Sequence, residues 1–66
     1  MKRYVAVLDN NTGLYYGKEF EELVIEDDTG KSLIRFEDNS KMICNSNLLF
    51  ETAEEMYNKI YELNKL

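Results

Sequence analysis

Apolar and polar positions alternate in short blocks through the first fifty residues, then settle into one helical repeat. Arg3 to Leu8 is rich in Val and Tyr and predicts a strand. Asp9-Asn10-Asn11-Thr12-Gly13 follows as a turn, because Asx side chains close local hydrogen bonds and glycine accepts positive φ. Leu14-Tyr15-Tyr16 resumes extended structure, so residues 3–16 predict a first hairpin, with Gly17 marking a bulge or bend. Glu19 and Phe20 read as a connector. Three further strands are predicted at Glu22–Glu26, Lys31–Glu37 and Lys41–Cys44. The turns between them are Asp27-Asp28-Thr29-Gly30 and Asp38-Asn39-Ser40.

If Asp27 faces Lys31 and Glu37 faces Lys41, a period of two puts Val24, Ile34, Phe36, Met42 and Cys44 on one face. Leu23, Ile25, Leu33 and Ile43 then share the other with Arg35. Both faces are apolar, which predicts a curled, barrel-like sheet or one covered by a helix. Leu48-Leu49-Phe50 predicts a last short strand. Thr52-Ala53-Glu54-Glu55 is a capping box. Ala53, Met56, Tyr57, Ile60 and Leu63 then form one apolar stripe on a helix over 52–65, running to about Leu66. Acids open this helix and lysines close it, as its dipole favours.

The predicted fold is therefore α+β: a single domain over 1–66, with hairpin 3–16, meander 22–50 and helix 52–65. Its sheet is small, twisted and antiparallel, with four or five strands, and one C-terminal helix packs on it. A chain of 66 residues buries only about 60% of the surface its unfolded form exposes, so its stability is marginal. One cysteine allows no intrachain disulfide, and no set of zinc ligands is present. Apolar residues, 44% of the chain with five tyrosines and three phenylalanines, must supply the core. A second copy of the chain, forming a homodimer, would relieve the shortage.

Charge narrows the partners. The net charge is −5 and is unevenly placed. Residues 1–18 carry Lys2, Arg3 and Lys18 against Asp9; residues 19–66 carry five bases against twelve acids. Phosphate affinity comes from Lys and Arg releasing counterions, so direct nucleic-acid binding is not expected. A protein with a basic surface is the expected partner. The lone Cys44 points to a reducing, cytoplasmic compartment. The first apolar run, Tyr4 to Leu8, is too short for a membrane span and no small-residue cleavage site follows it, so neither signal peptide nor anchor is expected.

Catalytic chemistry has little to stand on. Without histidine there is no imidazole base, no Ser-His or Cys-His pair and no common metal site. Cys44 sits on a predicted strand with nothing beside it to lower its pKa, and reads as a core residue. The 9–13 turn has the Asp and Asn content of a calcium loop, but its glycine is one place early and its twelfth position is Phe20 rather than glutamate. Glycines 13, 17 and 30 stand alone and form no phosphate cradle. The expectation is a non-enzyme with no cofactor and no metal.

Binding residues are easier to nominate. Tyrosine offers contact area with few rotors and is enriched at interfaces. Tyr15 and Tyr16 point to opposite faces when extended, and Tyr61 sits at the edge of the helix stripe. These three are the expected anchors. Asp27 and Asp28 at one tip, and Glu37 and Asp38 at the other, form two acidic rims that would steer a basic partner.

The stretch from Gly17 through "SLIRFEDNSKMICNSNLLFE" resembles the meander of SH3-like or Tudor-like small barrels. There a strand of the form "hxVRFxDG" leads through a turn and a further strand to "xxxLLxE". Asn39 stands where such barrels often carry glycine. The outer parts, "RYVAVLDNNTGLYYGKEF" and "NLLFETAEEMYNKIYELNKL", resemble small uncharacterised proteins of Gram-positive phages and mobile elements. Those show a tyrosine-bearing hairpin and a strand feeding a helix through "LFxTxEEA"; Met56 replaces the usual small residue. The resemblances imply an SH3-like sheet and a phage-encoded accessory module that masks a host protein. Alternatives are a nucleic-acid mimic that inhibits a host nuclease or defence protein, and a self-associating structural or regulatory subunit.

Overall fold

A computed structural model describes residues 1–65; Leu66, where the helix was expected to run out, lies outside the described residues. Six strands precede one helix: β1 Tyr4–Asp9, β2 Leu14–Glu19, β3 Glu22–Glu26, β4 Lys31–Arg35, β5 Lys41–Asn45 and β6 Leu49–Phe50, then α1 Ala53–Asn64. A single 3₁₀ turn, Ser46–Leu48, joins β5 to β6. The class is α+β with a C-terminal helix, as the sequence predicts. The sheet arrangement is different. The strands form two three-stranded antiparallel sheets, β2-β1-β6 and β3-β4-β5, rather than one sheet of four or five, and no closed barrel forms.

Three turns are built on the same device. Asp9, Asp27 and Asp38 each accept a hydrogen bond from the backbone N–H two residues on, at 2.9, 3.0 and 3.0 Å. Gly13 (φ 75°), Gly30 (φ 85°) and Asn39 (φ 71°) supply the left-handed residue each turn needs. Asn39 thus supplies the left-handed residue that glycine supplies in the other two turns.

The main core lies between the two sheets. Val5 of β1, Leu49 of β6, Ile34 of β4, and Phe20 and Phe36 at strand ends are buried together, with Val7, Met42 and Cys44 packed against them. Phe20 is more than a connector. Its N–H bonds to Arg3 O at 2.8 Å, while Glu21 N–H bonds to Arg35 O at 2.8 Å. The chain therefore passes from one sheet to the other at Phe20 and drops that ring into the core.

The second core lies on the far face of the first sheet. Ala6, Met56 and Ile60 are buried there, with Tyr4, Tyr15, Leu48 and Phe50 around them. Ala6 pairs with Gly17, so the helix rests on the two smallest residues of the sheet. A Cβ on Gly17 would lie 2.5 Å from Met56 Cε and 3.2 Å from Tyr57 Cε1. Gly17 is needed for this close approach; β1 and β2 pair without a bulge there.

Thr52 caps the helix. Its Oγ1 accepts from Glu55 N–H at 3.2 Å, and its hydroxyl lies 3.0 Å from Glu55 Oε1. The Glu55 carboxylate answers the Thr52 hydroxyl rather than its backbone N–H. The helix covers β1, β2 and β6, so the meander β3-β4-β5 keeps a bare outer face. Two register details depart from expectation. Lys41 pairs with Arg35 rather than Glu37, because the Asp38 turn closes between Phe36 and Ser40, and β3 is bulged. A bulge between Leu23 and Ile25 sets Leu23 opposite Ile34 and Ile25 opposite Leu33. Leu23, not Val24, thus pairs with the inward-facing Ile34.

Candidate interaction surfaces

The residues nominated from sequence are distributed over several faces. Tyr15 and Tyr16 do point oppositely. Tyr15 is half buried under the helix, whereas Tyr16 pairs with Val7 and is 47% exposed. Tyr61 is 70% exposed on the helix. Its neighbour is Tyr57, one turn earlier and 59% exposed. Sequence reasoning placed Tyr57 in the buried stripe. The stripe that actually packs contains Met56 and Ile60, with Ala53, Leu63 and Asn64 partly covered. Asn64 holds the register: its amide accepts from Tyr15 N–H at 2.7 Å and donates to Tyr15 O at 3.0 Å. Tyr57 lies on the same side of the helix as Asn64 but at the border of the packed stripe, its ring edge over Gly17 and most of its surface open. Tyr61 lies further round toward solvent.

Tyr57 and Tyr61, with Ile60, Asn64 and Lys65, line a shallow hollow of about 380 Å³. Lys65 Nζ stands 5.6 Å from the Tyr61 ring centre, within cation–π range. This is an apolar surface with a polar border. A second shallow cleft, of about 310 Å³, lies between the C-terminal half of β1 and the edge of β5, bordered by Leu8, Tyr15, Met42 and Cys44. Burial pushes the Cys44 thiol above its ordinary pKa, against a weaker opposite pull from Lys31. Cys44 is therefore a poor nucleophile near neutral pH. Among the described residues, no three His, Cys, Asp or Glu side chains converge to hold a metal, and no helix is long and apolar enough to cross a membrane.

The four nominated acids divide into two kinds. Asp27 Oδ1 accepts from Thr29 Oγ1 at 2.7 Å and from the N–H groups of Thr29 and Lys31, each at 3.0 Å. Asp38 Oδ1 accepts from Ser40 Oγ at 2.6 Å and Ser40 N–H at 3.0 Å. The Thr29 hydroxyl first, then the Lys31 amide, holds Asp27 below its ordinary pKa. The Ser40 hydroxyl and amide do the same for Asp38, with a smaller contribution from the charge of Lys18. These two carboxylates are turn supports. The side chains of Asp28 and Glu37 make no hydrogen bond among the described residues and stand exposed. The tips stand at opposite ends of β4, as two rims.

A pH dependence follows with a definite sign. A carboxylate whose folded pKa is depressed contributes stability above its unfolded pKa, about 4, and loses it as pH falls through the lower folded value. Folding stability measured by urea titration should therefore decline as pH drops below about 4. In Asp27→Asn/Asp38→Asn the acid limb should be shallower, because the variant has no such protons to take up. Parallel acid limbs in the two proteins would remove these carboxylates from the account.

Comparison of the chain with models of protein families, with curated protein sequences and with solved structures found no match.

Proposed function

We propose that this chain is a small, acidic, non-enzymatic protein-binding module that acts by covering a surface of another protein. The observation that carries the reading is the outward Tyr57–Tyr61 pair beside Ile60, an apolar surface on a domain with little core to spare. Aromatic anchors of this kind supply most of the energy at protein interfaces. Tyr16 is a further anchor on a different face, and Tyr15 contributes through the sheet it helps to hold. Asp28 and Glu37 steer a basic partner, since rim charges act mainly on association rate. The SH3-like reading is supported by the order of elements: a hairpin, a strand that changes sheets at Phe20, a meander, and a short last strand returning to the first. Encoding by a phage or mobile element, action in the host cytoplasm and masking of a host protein rest on the sequence resemblance.

The test is capture by the tagged full chain from the native host's lysate, at low and high salt, with two variants alongside. Tyr57→Ser/Tyr61→Ser should lose the captured protein while keeping its circular dichroism spectrum. Asp28→Lys/Glu37→Lys should slow association and flatten its salt dependence. Capture unchanged in both variants would overturn the reading. A captured nucleic-acid-binding protein that DNA displaces would move the assignment to the phosphate-mimic alternative.

A further inference from the structure

We propose that β5 is a pairing edge through which two copies of this chain join into one continuous sheet. The inference does not depend on the masking role above; it rests on which strand edges are guarded and which are not. Unpaired strand edges invite pairing, and soluble domains block them with bulges, charges or covering groups. The edge of β2 is covered where Asn64 takes both backbone groups of Tyr15. The edge of β3 carries a bulge and the acids Glu22 and Glu26. The strand β6 has only two residues. In contrast, β5 runs for five residues without bulge or proline and bears one charge, Lys41. The cleft beside Met42, Ile43, Cys44 and Asn45 leaves open space along it.

The hydrogen-bond parity suits a two-fold pair. The ladder between β4 and β5 is bracketed by Phe36 N–H to Ser40 O and Ser46 N–H to Gly30 O, each at 2.8 Å. Alternation along an antiparallel ladder then turns the backbone groups of Met42 and Cys44 toward β4 and those of Lys41, Ile43 and Asn45 outward. Among the described residues no side chain bonds to the outward-turned groups. With Ile43 on the two-fold axis, Ile43 meets Ile43 of the second copy and Lys41 meets Asn45. Each of these is a hydrogen-bonding pair, so every outward group finds its complement. Such an interface is isologous and closed.

The apolar surface fits the same register, and the acidic turns do not oppose it. Lys41 lies against Asn45, whose carboxamide oxygen already accepts from Lys31 Nζ at 2.7 Å. The acidic Glu37–Asp38 turn lies beyond it, level with the uncharged Ser46–Leu48 turn of the second copy. The acidic turns of the two copies therefore stay apart, while Lys31 and Lys41 of opposite copies approach at each end of the pair. Association should accordingly strengthen with added salt. On the bare outer face, Ile25 (57% exposed), Leu33 and Ile43 (71% exposed) form one row across the sheet. Pairing at β5 joins this row to its copy and gives the Ile43 side chains each other as neighbours.

Sedimentation equilibrium of the full chain from the micromolar to the millimolar range, with amide hydrogen exchange at both ends of it, tests the proposal. The expected result is a rise from one-chain to two-chain mass. The amides of Lys41, Ile43 and Asn45 should gain protection as mass rises, while those of Met42 and Cys44 stay protected throughout. Ile43→Lys, which sets like charges on the axis at an exposed position, should keep the monomer's spectrum and stay at one-chain mass. Should that variant fail to fold, a synthetic chain N-methylated at the Ile43 amide carries the same expectation. One-chain mass at millimolar concentration would overturn the proposal. So would a dimer whose Lys41, Ile43 and Asn45 amides exchange freely, or one that survives either change at Ile43.

Discussion

Ile34→Ala is expected to remove most of the folding stability of this domain. Ile34 is fully buried at the middle of β4, between Leu23 and Met42 in its own sheet and against Val5, Phe20 and Leu49 across the interface. Deleting a buried isoleucine to alanine costs about 2–5 kcal/mol, the transfer of the lost methyl groups plus the cavity they leave. At roughly 0.05–0.15 kcal/mol per residue, a domain of this size has only about 3–10 kcal/mol in total. The urea midpoint should fall steeply, and the low-stability end of that range would leave the variant unfolded at room temperature. Ile34→Val, which removes one methyl, should cost about 0.5–1.5 kcal/mol. Ile43→Ala, on the exposed face of the neighbouring strand, should stay within about 0.5 kcal/mol in dilute solution. Equal effects for Ile34→Ala and Ile43→Ala would mean that the space between the sheets is not the main core.

Those three substitutions mark where the sequence was legible. Ile34, Phe36, Met42 and Cys44 share a face because side chains alternate with a strict period. The Asp27 turn sets Glu26 against Ser32 as expected. The tighter Asp38 turn instead closes at Phe36 and Ser40 and pairs Lys41 with Arg35 rather than Glu37, a shift of two that leaves the faces unchanged. The helix start was equally plain, since Thr52 and Glu55 form a local cap that needs no tertiary partner. The division into two sheets was not legible. It depends on Phe20, whose neighbours Glu19 and Glu21 make the segment read as a polar connector, although the backbone crosses between sheets there. The exchange of Leu23 for Val24 was hidden for a similar reason: a bulge adds one residue to a strand without any residue type that announces it. Of the nominated residues, the acids stand at two tips at opposite ends of β4, as the strand order predicts. Asp27 and Asp38 are occupied in their own turns, and the signal for that was local: Thr29 and Ser40 stand two positions after each, the spacing of an Asx turn. Tyr57 belongs to the stripe by spacing but sits at its border, where its ring edge meets Gly17 and the rest stays exposed. Helical periodicity does not say where the sheet beneath ends, and the bond from Asn64 to Tyr15, 49 positions apart in the chain, fixes how the helix lies on it.

Gly17→Val is expected to destabilise the fold, although strand propensity alone argues the opposite. Valine is favoured over glycine in a regular strand, by up to about 1 kcal/mol, and nothing in the pairing of Gly17 with Ala6 requires positive φ. The obstacle is the helix. The first carbon of any side chain at position 17 would stand 2.5 Å from Met56 Cε and 2.9 Å from Met56 Sδ. Met56 is itself buried, so its end cannot swing into solvent without leaving a hole. The Tyr57 ring, 3.2 Å away, blocks the other direction. Overpacking of this kind costs about 1–3 kcal/mol, and a branched side chain on a rigid strand belongs at the upper end. The helix should lift, loosening the Asn64–Tyr15 pair at its far end and the Tyr57–Tyr61 surface with it. Met56→Ala alone should also destabilise, by about 2–5 kcal/mol, through the cavity it leaves. Combined, the two changes should partly cancel, because the valine occupies the space the methionine vacates. A coupling of about 0.5–3 kcal/mol is expected for groups in direct contact. The double-mutant cycle by urea denaturation therefore decides the point. Additive losses would mean that the helix does not rest on Gly17, and the tyrosine pair would lose its structural footing.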